Sequence, residues 1–271
     1  MPDARACVRV RAAGAMAAAA LARCAGRTAP VPAFPHAPYR FAGDEMVWIG
    51  HHGAMHPRAV FARHWQGGDL LDIAAASVWH APPPDFARLP VPSVVTHLLD
   101  CCAARRPTSG FAPLLWGGTP MFPMRARTAE AGALACAVAD DAPPAFLAAA
   151  ARLIGVGNGL TPSGDDLVGA ALFGLRRWRG ADIRWRDASA SLCRVARERT
   201  HAISAVLFAD LASGASFAPL HALADALCSD APAGALAPHL EDLVAIGHSS
   251  GWDMLAGIVA ATGRAFPHTP A

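Results

Sequence analysis

Two stretches of this sequence, Leu167 to Phe173 and Met254 to Val259, are apolar at every position, so a helix built from either has no face to offer to water. Each must run through the inside of a helical assembly. Each is also opened by a related pattern: Gly155-Val156-Gly157-Asn158-Gly159-Leu160-Thr161-Pro162-Ser163-Gly164-Asp165-Asp166 precedes the first, and Gly247-His248-Ser249-Ser250-Gly251-Trp252-Asp253 precedes the second. Aligned without gaps, Thr161 to Asp166 faces His248 to Asp253 and shares S-G-x-D. Two such starts predict two helix N-termini meeting at one polar pocket.

The first loop is built to turn and then enter a helix. Gly155, Gly157 and Gly159 let the backbone turn tightly and expose N–H groups, Thr161 fits an N-cap, and Pro162 fits the first helical position. Unpaired N–H donors at the positive end of a helix dipole are the elements of an anion site. Asn158, the only asparagine, suits a left-handed turn and a ligand contact equally. Asp165 and Asp166 complement the dipole, an effect of about 0.3–1 kcal/mol each at an exposed start. Ahead of an all-apolar helix, however, they are buried, and a buried carboxylate calls for a metal, an arginine or a substrate amide. Both are therefore candidates for catalysis and for Mg²⁺ ligation.

At the second start, G-H-S-S-G has the shape of a nucleophile elbow with Ser249 in the nucleophile's place and His248 beside it as a base. An elbow needs a preceding strand, and Pro238 to Ile246 reads as helix. Ser249, Ser250 and Asp253 stand as candidate binding groups, matching Thr161 and Ser163 of the first start. Thr200 and Ser204 lie four apart in a helical run and are expected on one face, lining the pocket or bonded back to helix carbonyls. His51, His52, His56 and His64 lack metal spacing and read as structural or surface histidines, while Arg58 is a candidate partner for an anion.

Composition removes several mechanisms. All 23 of the Lys+Arg total are arginine, so Schiff-base chemistry, a P-loop lysine and a lysine base are excluded. The net charge of +2, with arginines scattered, carries no nucleic-acid footprint. Seven cysteines without a C-x-x-C pair read as small buried hydrophobes in a reducing cytoplasm. Arg5, Arg9 and Arg11 before Ala12 to Ala22 mimic a signal peptide, but alanine is weakly apolar and the stretch reads as a surface helix. No other segment has the uninterrupted apolar length of a membrane span.

The expected class is α+β, a mainly β N-terminal region followed by an α-helical bundle. Residues 1–125 are broken by proline and glycine, with strands at Met46 to Ile49, Ala59 to Phe61 and Leu70 to Ile73, and a short helix from Pro92 capped by Ser93. Residues 126–271 carry helices over Thr128–Val138, Pro143–Ile154, Pro162–Trp178, Ala188–Leu211, Pro219–Leu227, Pro238–Ile246 and Ser250–Ala261.

G-x-G-x-G-L-T-P-S-G-D-D with a later G-H-S-S-G-x-D resembles a bacterial family of formerly unknown function that includes a subunit of oxamate carbamoyltransferase. The resemblance lies in Gly155–Asp166 and Gly247–Gly257. It implies an enzyme of allantoin and purine nitrogen catabolism that moves a carbamoyl group between oxalurate or oxamate and phosphate, within a complex of unlike subunits. Alternatives are a non-catalytic assembly or regulatory subunit and a metal-dependent hydrolase of small amides. Two carboxylates beside a phosphate repel it, so either a metal bridges them or they bind the amide end while an arginine such as Arg58 binds the anion.

Overall fold

The structure, a computed structural model, describes residues 6–84, 88–180, 182–229 and 233–267. It is α+β, a curled β-sheet followed by helices. It divides into two compact units, Met1–Pro82 and Pro83–Ala271, and the change of composition near residue 125 falls inside the second. Arg5 lies outside the described residues.

The first unit is a seven-stranded sheet ordered β2-β3-β4-β5-β1-β6, with β7 also paired to β1. Its strands are β1 (Cys7–Gly14), β2 (Ala29–Pro30), β3 (Tyr39–Ala42), β4 (Glu45–Gly50), β5 (Ala59–Ala62), β6 (Leu70–Asp72) and β7 (Ser77–Trp79). The three expected strands are β4, β5 and β6. The stretch read as a surface helix is a correction: its first half is the central strand β1, antiparallel to β5 and parallel to β6 and β7. Val8, Val10 and Ala12 alternate there with exposed Cys7, Arg9 and Arg11, the period of a half-buried strand. Only Ala15–Arg23 is helix (α1), and it buries Ala17, Ala20 and Leu21.

The second unit holds α2 (Pro92–Cys102), α3 (Thr128–Ala139), α4 (Pro143–Leu153), α5 (Ser163–Arg179), α6 (Ile183–Arg199), α7 (Ala202–Ser213), α8 (Ala218–Ala226), α9 (Ala233–Val244) and α10 (Ser250–Ala261). The two apolar stretches are α5 and α10, which pack on each other more extensively than any other pair of elements. α4, α6 and α7 cover α5, and α3 and α9 add to α10. The expected run from Ala188 to Leu211 is two helices, because α6 ends at Thr200, whose extended backbone breaks it before α7. α2 begins without a side-chain cap, so Ser93 does not serve as one. α9 starts ahead of Pro238 and holds it internally. Of the cysteines only Cys102 is buried, and all seven are free thiols. Residues Ala202–Ala226 reach the hydropathy of a membrane span, yet Gly214, in a left-handed conformation, ends α7 inside that stretch and half of it is packed inside the protein.

Candidate functional site

The sequence between α4 and α5 and that between α9 and α10 fold the same way. After α4, the Val156 N–H donates to the Leu153 carbonyl at 3.0 Å and the Gly164 N–H to the Val156 carbonyl at 2.8 Å. After α9, Ile246 donates to Leu243 and Gly251 to Ile246, both at 3.0 Å. Gly164 and Gly251 are the same glycine in two copies. A Cβ on either would lie 1.9 Å from a carbonyl oxygen, that of Leu153 or of Leu243, so each new helix presses its first turn against the end of the previous one. The first loop is three residues longer between its matched points and carries Asn158 and Gly159.

The copies meet at their helix starts. The Thr161 and Ser250 hydroxyls lie 2.9 Å apart, and those of Ser163 and Ser249 3.4 Å. Further along, a Cβ on Gly257 would fall 2.2 Å from the Leu167 carbonyl, and one on Gly174 2.6 Å from the Ala261 Cβ. Helices α5 and α10 therefore run parallel and in close contact, each with a serine at its first position and an aspartate three residues on. The two motifs thus meet at this junction.

Behind the hydroxyls lie the aspartates. Asp253 is fully buried; its Oδ1 accepts the Phe111 N–H at 2.6 Å, while its Oδ2 has no hydrogen-bond partner. Burial pushes its carboxyl up to about 7 against the opposing pull of the Phe111 amide and the Ser163 and Ser249 hydroxyls. Asp166 is its counterpart in α5, also buried, with Oδ2 unpartnered. Burial first, then the proximity of Asp253, drives its carboxyl well above the usual range, and the Ser250 and Thr161 hydroxyls only partly offset this. Each aspartate is thus approached by the serine that opens the other helix.

Asp165 plays a different part. Its Oδ1 accepts the Gly155 N–H at 2.7 Å and its Oδ2 the Ser204 hydroxyl at 2.6 Å, pinning the glycine loop and α7 to the start of α5. Both Asp165 oxygens are thus engaged within the protein, and among the described residues no cluster of three or more His, Cys, Asp or Glu is arranged to hold a metal.

Several expected details differ. Pro162, not Thr161, holds the cap position, and no side chain caps α5. Thr161 instead reaches the other motif. Of the N–H groups expected to be unpaired, Gly155 donates to Asp165, Gly164 to the Val156 carbonyl, and Asp165 and Asp166 to the Pro162 carbonyl. The positive φ angles belong to Gly155, Gly157 and Gly159 rather than to Asn158, which is exposed. Thr200 and Ser204 do not share a helix; Thr200 closes α6 with its buried Oγ1 unbonded, and Ser204 sits in the first turn of α7. His248 is exposed on the turn before α10, and the segment before it is helix α9. Arg58 is in the first unit, where its guanidinium donates to Glu45 at 2.8 Å and to the Met46 carbonyl at 3.1 Å. His56 accepts the Arg58 N–H, and His51 meets the Ala62 carbonyl.

Phe111 and His201 were not legible as site residues. The Phe111 amide holds Asp253 from 142 positions away, and His201 Nε2 lies 3.2 Å from the Gly159 carbonyl. Backbone donors leave no mark in side-chain patterns, although Ser109-Gly110 signals a turn there.

The fold and site define an α+β protein whose helical unit is centred on a duplicated serine-and-aspartate helix start. Residues 153–262 match the family model for oxamate carbamoyltransferase subunit AllH. No curated protein and no solved structure matches the chain.

Proposed function

We propose that the chain is a subunit of an oxamate carbamoyltransferase-type enzyme of allantoin and purine nitrogen catabolism in the bacterial cytoplasm, and that the junction of α5 and α10 holds the carbamoyl group. The observation that carries this is coincidence: the matched segment, 153–262, runs from the last residue of α4 to just past α10 and so contains both serine-and-aspartate starts. In the reaction, a phosphate oxygen attacks the carbamoyl carbon of oxalurate, the bond to the oxamate nitrogen breaks, and that nitrogen takes up a proton. The hydroxyls of Thr161, Ser163, Ser249 and Ser250 would orient the carbamoyl group, and the acid pair behind them would supply or accept the proton through those hydroxyls. The phosphate and the other subunits would come from outside this junction, since the main-chain donors of Gly164, Asp165, Asp166 and Gly251 are occupied.

Reconstituting the enzyme from its subunits and measuring carbamoyl phosphate formed from oxalurate and phosphate tests the assignment. Asp166→Ala is expected to abolish turnover while the helical circular dichroism and assembly with the partner subunits persist; undiminished turnover would remove the site from catalysis. A second reading, a non-catalytic assembly subunit, is favoured by Asp165, whose two oxygens serve only to hold the loop and α7 in place. It expects turnover to survive in Asp166→Ala and to fall only in variants that prevent assembly.

A further inference from the structure

We propose that a cavity between the C-terminal half of α5 and helices α6 and α7 is a binding site for a small organic carboxylate whose body is apolar, one ring and a short chain in size. The cavity measures about 340 Å³. It lies apart from the junction of α5 and α10: Arg176, at its edge, follows Asp166 by ten positions of α5, a rise of about 15 Å.

The inner surface is apolar and rigid. Leu172 and Leu175 of α5 and Ala212 of α7 form the floor, and the small alanine side chain leaves the space open. Trp185 of α6 forms a wall that does not swing in to fill it, because its Nε1 donates to Asp141 at 2.9 Å and its ring stands edge-on to Phe146 with centroids 5.4 Å apart. The Cys193 thiol also lines the cavity. Burial, against the pull of Arg197, holds it above its ordinary range, so it stays neutral and adds to the apolar surface. An apolar cavity of about 150 Å³ is enough for benzene. The larger volume here accommodates one ring with a chain of a few carbons.

The polar groups at the edge are donors. They are the guanidinium groups of Arg176 and Arg186 and the hydroxyl of Ser189, and none of the described residues lining the cavity is acidic. Arg176 is held in place: a Cβ on Gly214 would lie 3.2 Å from its Cγ, and one of its terminal nitrogens donates to the Gly180 carbonyl at 3.2 Å, with further donors left over. Around the same turn between α5 and α6, Arg179 and Arg184 are both paired with Asp141, whereas Arg176 and Arg186 have no carboxylate partner among the described residues. Arginines on an open surface are satisfied by water. Set at the edge of an apolar cavity, these two give it one cationic end and one apolar end. An organic carboxylate fits both, a neutral apolar molecule leaves the guanidinium groups unused, and inorganic phosphate leaves the floor uncovered.

The test labels the full-length chain with fluorotryptophan and follows the Trp185 resonance, identified by its loss in Trp185→Phe, by fluorine NMR at pH 7 while phenylbutyrate or its alcohol, phenylbutanol, is titrated. A saturable shift of that resonance is expected with both probes, with phenylbutyrate bound about tenfold more tightly, the scale of one charge-assisted hydrogen bond. Arg176→Gln and Arg186→Gln should each weaken phenylbutyrate severalfold and leave phenylbutanol unchanged. Ala190→Phe, at an exposed position on the edge of the cavity, should abolish binding of both. No response of Trp185, equal affinity for the two probes, an affinity for phenylbutyrate unchanged in both arginine variants, or binding undisturbed by Ala190→Phe would overturn the proposal. No partner subunit and no substrate of carbamoyl transfer enters the measurement, so its outcome is independent of the proposed function.

Discussion

Ser163 and Ser250 occupy the same position in two copies of one helix-loop-helix unit, and each stands against the aspartate of the other copy, Ser163 beside Asp253 and Ser250 beside Asp166. The crossing explains why the helices run parallel with their starts together. An antiparallel pair would separate each aspartate from its hydroxyl and leave two buried carboxyls unsupported, at about 1–3 kcal/mol or more apiece. Packing secures the arrangement further down, where Gly174 and Gly257 bring the helices into near-backbone contact.

Gly164→Ala and Gly251→Ala are expected to be equally damaging. In each, the new Cβ meets a main-chain carbonyl at 1.9 Å, a clash no side-chain movement relieves, so a loss above about 4 kcal/mol or failure to fold is expected. Gly159→Ala is the control. Its φ of +100° is unfavourable to alanine, but nothing lies within 4 Å, and a loss of about 1–2 kcal/mol follows. Urea unfolding of the three variants checks the order. A mild Gly251→Ala beside a severe Gly164→Ala would break the equivalence of the two copies.

Asp165→Ala removes the acceptors of two donors, the half-buried Gly155 N–H and the buried Ser204 hydroxyl. A destabilisation of about 2–4 kcal/mol is expected, with faster amide exchange at Gly155. Ser204→Ala, which leaves the Gly155 bond, should cost less, about 1–2 kcal/mol. If Asp165→Ala proved as stable as the native chain, the carboxylate would not be what holds the glycine loop.

The junction was legible in the sequence because its signals are local: S-G-x-D twice, each before an all-apolar run. The fold class was legible for the same reason, through proline-punctuated alanine and leucine segments. What escaped depended on distant partners. Strand β1 alternates Val8, Val10 and Ala12 with Arg9 and Arg11, but the basic residues ahead of an alanine run imitate a leader, and the pairing with β5 that fixes a strand comes from Val60 to Ala62. The break between α6 and α7 has no proline or glycine to announce it. Thr161 looked like a cap from its neighbours; its actual partner, Ser250, is 89 residues away.

His221 should remain neutral at physiological pH. It packs edge-on against Phe173 with Arg177 at 3.3 Å from Nδ1, and its Nε2 accepts the Ser216 N–H. Burial, then the guanidinium charge, lowers it to about 4. A histidine whose folded value lies below its unfolded one contributes stability present above about pH 6.5 and lost as pH falls toward 4. Its ring proton resonances in NMR should not titrate between about pH 5 and pH 8, in contrast to an unperturbed histidine. A midpoint near the ordinary histidine value would show that the buried position of the ring, with Arg177 beside it, does not persist in solution.

Asp253 gives the opposite slope, and comparison with its amide variant isolates it. Its carboxyl is raised from 3.8 to about 7, so between those values the folded chain holds a proton that the unfolded chain releases. Stability on this account is highest below the unfolded value and falls as pH rises toward 7, by up to about 1.4 kcal/mol per pH unit. Asp166, raised well above its ordinary value by burial and by Asp253, carries the decline further. Asp253→Asn removes the first part while retaining an oxygen for the Phe111 amide. The native-minus-variant difference in unfolding free energy, measured in urea across this range, should therefore decrease with rising pH, whatever His221 and the exposed carboxylates add to both chains. A difference independent of pH would mean that Asp253 is ionised throughout, and that a cation or solvent reaches the junction.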